Sequence, residues 1–158
     1  MQIESFHDLV KLLEREQVPH RVDEALQFVE IPTRSRPLEG SLAIVWDRND
    51  NLVQFIHLLP FDLPAERLGA VAEAIARANH VLALPGFGID HTKQRAYYRI
   101  VLPRGKDGSL DATLVGPTIT SVVETTRDFF LPLQQIALHG APPGDIVERA
   151  RLGRANQH

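Results

Sequence analysis

The stretch from Leu52 to Leu59 constrains the fold most, because it has apolar side chains on both sides of a single predicted strand. Successive side chains of a strand point to opposite faces. One face has Leu52, Ile56 and Leu58, and the other has Val53, Phe55 and Leu59. Such a strand lies in the middle of a sheet, and each of its faces must be covered by helix, by loop or by another molecule.

The polar turn from Asp47 to Asn51 joins this strand to a preceding strand, Leu42 to Trp46, and predicts a hairpin. The turn has the spacing of the first calcium ligands of an EF-hand, but Leu52 replaces the required glycine and Leu58 the required glutamate. A plain polar turn is therefore predicted, and no metal site. The turn permits two registers that exchange the faces of the strands, so the sequence does not determine which face of the sheet is exposed.

The segment from Pro64 to Leu82 predicts an amphipathic helix that begins after Asp62 as its cap. Asn79, near its end, is expected to satisfy loop backbone groups with its amide. A flank of small side chains would let another backbone come close. This flank either packs on the protein's own sheet or pairs with its copy in a homodimer, and the predicted dimer interface is Ala65, Gly69, Ala72 and Ala76.

Two further strands follow this helix. The first is predicted over Gly86 to Asp90 and the second over Tyr97 to Leu102, with a polar loop from His91 to Gln94 between them. Alternation places Tyr98, Ile100 and Leu102 on one face and Tyr97, Arg99 and Val101 on the other.

The ends of the chain predict helices. A first helix begins at Ser5, which with Asp8 resembles a capping box, and stops before Pro19. Arg21 to Ile31 predicts an edge strand, and Pro32 to Gly40 a loop. A last long helix runs from Gly116 to Gly140, with a kink expected at Pro132.

Composition indicates one ordinary globular domain of 158 residues, 44% hydrophobic and 23% charged. We expect residues 1–140 to form this α+β domain, and residues 141–158 to form a linker plus a short basic C-terminal helix or tail. The net charge of −3 gives no reason to expect direct nucleic-acid binding or membrane-surface binding.

The absence of cysteine excludes disulfides, zinc–thiolate sites and thiol catalysis. The N-terminus lacks the pattern of a signal peptide, and no apolar run approaches the ~20 residues of a membrane helix. A cytoplasmic protein is therefore expected. The seven histidines are scattered, and no nucleophile motif is present. No catalytic, cofactor-binding or metal-binding residue is predicted, and His57 is expected to be a satisfied core or interface residue.

Four stretches resemble the YbjN family of bacterial regulators and the secretion-chaperone-like fold that it shares with type III secretion chaperones. They are Leu52–Pro60, Ala74–Asn79, Gly86–Asp90 and Tyr97–Pro103. The resemblance spans roughly Ser5 to Gly140. It implies an α+β fold in the order α-β-β-β-α-β-β-α, with an antiparallel, strongly twisted sheet of about five strands and three main helices. It also implies a homodimer that binds other proteins without catalytic residues.

Two features depart from this family pattern. The loop from Arg104 to Gly116 is longer than the resemblance implies, and the arginine-bearing tail after Gly140 has no counterpart in it. Both departures leave the identity of the partner open.

The sequence thus favours a non-catalytic, chaperone-like, adaptor or regulatory module that binds another protein as a homodimer. The predicted partner-binding residues are Val53, Phe55, His57, Tyr97 and Arg99. The alternative is a small-ligand-binding protein or enzyme with a pocket between the sheet and the kinked last helix, near Pro132.

Overall fold

Eight strands and four α-helices make up the described chain. The structure is a computed structural model that describes residues 1–156. The strands are β1 Gln2–Ile3, β2 Arg21–Asp23, β3 Phe28–Ser35, β4 Leu38–Asp47, β5 Leu52–Leu58, β6 Phe87–Asp90, β7 Arg95–Pro103 and β8 Leu110–Asp111. The α-helices are α1 Phe6–Arg15, α2 Leu68–Val81, α3 Val115–His139 and α4 Ile146–Ala155, and short 3-10 turns precede α2, α3 and α4.

One antiparallel sheet of six strands, in the order β2-β3-β4-β5-β7-β6, dominates the fold. A separate two-stranded sheet pairs β1 with β8 near the chain's start. The predicted α+β class with a large antiparallel sheet is confirmed. The predicted counts are too low, because the main sheet has six strands where about five were expected, and there are four α-helices where three were expected.

The β2–β3–β4 region differs most from the sequence prediction. Arg21–Ile31 is a hairpin and not one edge strand, since β2 turns back to pair with the start of β3. The stretch from Pro32 to Gly40 is not a loop, because β3 continues to Ser35 and β4 begins at Leu38. Pro32 fits within β3 because β2 pairs only with Phe28–Glu30, so this end of β3 is an unpaired edge where a missing amide is tolerated.

Both hairpins predicted around the middle of the sheet are confirmed. β4 and β5 pair with Trp46 opposite Val53, and β6 and β7 pair with Phe87 opposite Tyr98. The Asp47 carboxylate accepts hydrogen bonds from the backbone N–H groups of Asn49 and Asp50 at 2.9 and 3.1 Å, which closes the polar turn. The register of β4 against β5 settles which side chains share a face.

The start of α2 differs from its prediction, because Asp62 is not the cap of this helix. The chain passes through the 3-10 turn Ala65–Arg67, and the α-helix begins at Leu68. The Asp62 carboxylate instead pairs with Arg95 at 3.3 Å. Arg67 donates hydrogen bonds from Nε to the carbonyl of Ile136 at 2.8 Å and from Nη2 to that of Ala141 at 2.9 Å. This side chain ties the start of α2 to the end of α3.

The helices cover one face of the main sheet. The predicted cap of α1 is confirmed, since Ser5 Oγ accepts a hydrogen bond from Asp8 N at 3.2 Å. α3 packs against β3, β4, β5 and β7, continues through Pro132 and ends at Gly140 in the left-handed conformation. α4 packs on α2 and α3, and its Ile146 is fully buried. Positions 157 and 158 of the predicted tail lie outside the described residues.

Candidate protein-binding face

The two faces of β5 differ sharply in their exposure. Val53, Phe55 and His57 are fully buried beneath the helices. Leu52, Gln54, Ile56 and Leu58 alternate with them and are partly exposed. We call the side of the sheet that packs on the helices the covered face. The opposite side, formed by the outward side chains of β3, β4, β5 and β7, is called the open face.

A row of four side chains crosses the open face. Directly opposite partners in the register are Glu30 and Ala43, Ala43 and Ile56, and Ile56 and Arg99. Side chains at directly opposite positions of antiparallel strands share a face. The row Glu30–Ala43–Ile56–Arg99 therefore has an acid at one end, a base at the other and apolar groups between them.

The open face is largely apolar. A depression of about 660 Å³ lies over β3, β4, β5 and β7 and is bounded by the β6–β7 turn. Its apolar lining comprises Phe28, Ala43, Val45, Ile56, Leu58 and Ile89. Its charged and titratable rim comprises Glu30, Asp90, His91, Lys93 and Arg99. An apolar centre with a polar rim is the usual anatomy of a protein–protein contact surface.

The two charged ends of the row are held differently. Glu30 forms an ion pair with Arg21, and hydrogen bonding from Ser41 together with Arg21 keeps the pKa of Glu30 below its usual value. Arg99 lies over the ring of Tyr97, 5.3 Å from its centroid. The Tyr97 side chain in turn covers Gly88, which has no Cβ to occupy that space. Both charges stay on the surface, where a second molecule can reach them.

The five residues predicted to bind a partner do not lie on one surface. Tyr97 and Arg99 are on the open face, with Tyr97 partly exposed and Arg99 exposed. Val53, Phe55 and His57 are on the covered face and are fully buried in the core. The register explains the division, because Phe55 is opposite Ile100 and His57 is opposite Tyr98.

His57 is fully satisfied within the core. Its Nδ1 lies 2.8 Å from the carbonyl of Leu58, which can only accept, so Nδ1 carries the proton. Nε2 of this neutral ring then accepts from the hydroxyl of Thr33 at 3.1 Å. Burial lowers the pKa of His57 from its usual value. The prediction of a satisfied core histidine is confirmed.

The predicted dimer-interface residues share one exposed flank. Ala65, Gly69, Ala72 and Ala76 are all exposed on α2 and the turn before it. A Cβ added at Gly69 would meet no other group. This flank, the α2 flank, is therefore open to solvent in the single chain.

The alternative site between the sheet and α3 is occupied by core side chains. Pro132 is buried, and Leu133 and Ile136 are fully buried where α3 packs over the sheet. The 660 Å³ depression lies on the other side of the sheet. Within residues 1–156, no group of three or more histidine, aspartate or glutamate side chains is arranged to hold a metal ion. No helix in the same range is both long and apolar enough to cross a bilayer.

Sequence reasoning did not assign Ile56 and Leu58 to the binding face, and it also missed residues of the open face on β3 and β4. These residues include Glu30 on β3 and Ser41 and Ala43 on β4. Glu30 lay in the segment predicted as an edge strand, and Ser41 came directly after the segment predicted as a loop. The alternation Val29, Ile31, Thr33 on the covered side carried a usable signal. Pro32 obscured it, since proline inside a run argues against a strand.

The fold and its two unequal sheet faces define a class: small α+β proteins whose antiparallel sheet has helices on one face alone. The chain belongs to the YbjN family, whose model matches residues 8–135 and whose description is "Putative bacterial sensory transduction regulator". The predicted likeness to YbjN is thereby confirmed, whereas the wider likeness to secretion chaperones stays a prediction. The chain has no significant match among curated proteins. It has none among solved structures either.

Proposed function

We propose that this chain is a non-catalytic regulatory module of the cytoplasm that acts, as a homodimer, through protein contact at its open sheet face. The observation that carries the proposal is the unequal covering of β5. One side is fully buried by the helices, whereas Ile56 and Leu58 on the other side stay partly exposed in the centre of a broad apolar surface. Another polypeptide that covered this surface would gain free energy from the removal of apolar area from water.

The composition of the open face supports protein binding. Apolar side chains at its centre can supply binding energy, and Glu30 and Arg99 at its ends can fix the orientation of the bound segment. Tyr97 adds an amphipathic ring of the kind enriched at interface centres. The proposed contact residues are therefore Ile56, Leu58, Tyr97 and Arg99.

The state of the titratable groups supports a binding role over a catalytic one. The lowered pKa of Glu30 makes its carboxylate a weak base at neutral pH. Both ring nitrogens of His57 are already bonded inside the core, away from the open face. These two groups are therefore poorly placed to act as general bases on a molecule bound at the open face.

The homodimer and the chaperone-like character are part of the proposal. The exposed α2 flank is the sequence-predicted contact between subunits, and the open face is a second candidate surface for that contact. The cytoplasmic location is supported by a sequence without cysteine, which depends on no oxidising compartment.

The test is a comparison of proteins captured by the wild-type chain and by Ile56→Glu, each tagged and expressed at the same level in a bacterial host. Charge at this position should repel an apolar partner, so we expect proteins held at the open face, whether other proteins or untagged copies of this chain, to be lost. Ala72→Glu adds the same charge on the α2 flank and is the matched control for the capture of other proteins. Identical captured sets for wild type and Ile56→Glu would contradict the proposal.

A further inference from the structure

We infer that the open face is built to bind a second copy of this chain, related by a two-fold axis that runs parallel to the strands between β4 and β5. The inference rests on the proposed function and deepens it, because it names the occupant of the open face. It also makes the open face, and not the α2 flank, the contact between subunits.

The charges on the open face are arranged so that the face complements itself. In the row Glu30–Ala43–Ile56–Arg99, the acid on β3 and the base on β7 are the same number of strands away from the line between β4 and β5. Strands are spaced about 4.8 Å apart, so the two charges are roughly 14 Å apart within one chain. They are too far apart to pair with each other within a chain. Glu30 is paired with Arg21 in its own chain, and Arg99 of a second chain would be a further partner for the Glu30 carboxylate.

A two-fold axis parallel to the strands reverses the order of the strands while the two faces meet. Glu30 of one chain then lies over Arg99 of the other, and Ala43 lies over Ile56. Each contact occurs twice, as in any two-fold interface. An axis perpendicular to the strands would place Glu30 over Glu30 and Arg99 over Arg99, which like-charge repulsion disfavours.

The neighbouring row is largely apolar and is also reversed by this operation. Phe28, Val45, Gln54 and Val101 form the neighbouring row. The axis places Phe28 over Val101 of the other chain, and Val101 is an exposed large apolar side chain in the single chain. The small Ala43 over the larger Ile56 lets side chains from the two sheets interdigitate. Phe28 and Val101 thus cover each other, whereas Val45 lies over the amide of Gln54 of the other chain.

The shape of a twisted sheet permits this contact. A sheet with uniform twist is saddle-shaped. A copy rotated by the two-fold axis parallel to the strands has the same saddle shape, so the two sheets stay at a constant distance from each other. Sheets that pack face to face in this aligned way are about 10 Å apart. The four strands of the open face, at β5's length, span roughly 14 Å by 23 Å, or about 330 Å² in projection. This is less than half of the ~800 Å² that each partner buries in a standard protein interface, so we expect a weak dimer that forms at high concentration.

The test exchanges the charges. Glu30→Arg and Arg99→Glu are prepared as separate variants, and light scattering after size-exclusion chromatography measures their mass over a concentration series. Each single variant places two pairs of like charges in the dimer, so we expect the dimer dissociation constant to rise roughly tenfold or more. In an equimolar mixture, the arginine introduced in one variant meets the glutamate introduced in the other, and the remaining native Arg99 meets the remaining native Glu30. We therefore expect a heterodimer in the mixture although each variant alone is weakened.

Controls separate misfolding and the alternative interface from the expected result. Arg99 is exposed, so circular dichroism and thermal unfolding of Arg99→Glu should match the wild type. Glu30→Arg loses the ion pair with Arg21 and places two arginines opposite each other on β2 and β3, so it should keep the wild-type circular dichroism but unfold at a somewhat lower temperature. Ala72→Arg places a charge on the α2 flank and should leave the dimer unchanged.

Three outcomes would overturn the inference. They are a wild type that stays monomeric over the whole concentration series, single variants that dimerise as well as wild type, and a mixture that forms no heterodimer. A dimer broken by Ala72→Arg alone would place the subunit contact on α2 and leave the proposed homodimer intact. Binding of other proteins is decided separately, by the capture experiment with Ile56→Glu.

Discussion

The ring of His57 on β5 crosses the intervening strand β4 to bond with Thr33 on β3, with 3.1 Å between Nε2 and Oγ1. Gly40, which is opposite Thr33 on β4, leaves the room for this crossing. A Cβ added at Gly40 would lie 3.0 Å from Cε1 of His57. The bond therefore joins β5 to β3 across β4 on the covered face of the sheet.

Replacement of Thr33 by valine should destabilise the protein. Valine keeps the branched shape but removes the hydroxyl, so Nε2 of His57 is left buried without a donor. An unsatisfied buried group costs about 1–3 kcal/mol. Urea unfolding followed by Trp46 fluorescence measures the free energy of unfolding. Thr33→Ser keeps the hydroxyl and should retain most of the stability, and equal losses for the two variants would show that the hydrogen bond is not the cause.

Stability should fall as the pH drops below about 6.5. Burial lowers the pKa of His57 in the folded state, whereas the unfolded chain titrates near the ordinary histidine value of about 6.5. Below that pH the unfolded state binds more protons than the folded state, so the free energy of unfolding decreases as the pH falls. The full contribution is present above about pH 6.5, and the slope approaches at most about 1.4 kcal/mol per pH unit for one group.

Urea unfolding at a series of pH values between neutral and about 5 measures this slope. Carboxylates whose pKa is lowered in the folded state change the free energy of unfolding only at lower pH, because their pKa values in the unfolded chain are about 4. His57→Gln is the comparison variant, since glutamine does not titrate. We expect it to be less stable at neutral pH but to have a flatter profile. An equally steep profile for His57→Gln would assign the slope to other groups.

Local sequence patterns were sufficient for much of the sheet. The alternation in Tyr97–Leu102 correctly predicts which side chains share a face, since Tyr98 and Ile100 are buried together whereas Arg99 and Val101 are exposed together. The β4–β5 hairpin was also predictable, since its turn and both strands are adjacent in the chain. Asn79 was predicted to serve backbone groups, and it does so at Phe87.

The composition of the open face could not be derived in the same way. Phe55 and Arg99 were predicted to meet a partner on the same face. The pairing of β5 with β7, which joins segments about forty to fifty residues apart, places them on opposite faces. A shift of one residue in such a pairing exchanges the faces of every side chain. The row from Glu30 to Arg99 also includes β3. This strand was not predicted at its full length, because Pro32 argues against a strand at that point. The site therefore depends on register, which no single segment contains.

Asn79 should be necessary for the attachment of β6 to α2. Its Nδ2 donates to the carbonyl of Phe87 at 3.0 Å, and its Oδ1 accepts from Phe87 N at 3.0 Å. Asn79→Ala removes both bonds at a partly buried site, so we expect a loss of about 1–3 kcal/mol. Hydrogen exchange of the Phe87 amide should be faster in the variant than in the wild type, whereas exchange of amides in β4 should change less. Unchanged exchange at Phe87 would contradict this role, and Ala76→Ser on the exposed side of α2 is a suitable control.

Gly86 and Gly88 should respond very differently to replacement by alanine. A Cβ at Gly86 would lie 2.3 Å from the backbone oxygen of Arg99. Gly86 O also accepts a hydrogen bond from Arg99 N at 3.0 Å, so the backbones of the two residues are held together. Gly86→Ala must push β7 away, and overpacking of this kind costs typically about 1–3 kcal/mol and occasionally more.

At Gly88 the obstacle is a side chain on the open face. The added Cβ would lie 2.4 Å from the Tyr97 hydroxyl, and this partly exposed ring can rotate away. Gly88→Ala should therefore cost less free energy of unfolding than Gly86→Ala. The displaced ring would no longer lie beneath Arg99, so Gly88→Ala should weaken self-association measured by light scattering more than it weakens stability measured by urea unfolding. Equal losses of stability for both variants would show that Tyr97 is fixed in place, and unchanged association would remove Tyr97 from the proposed contact.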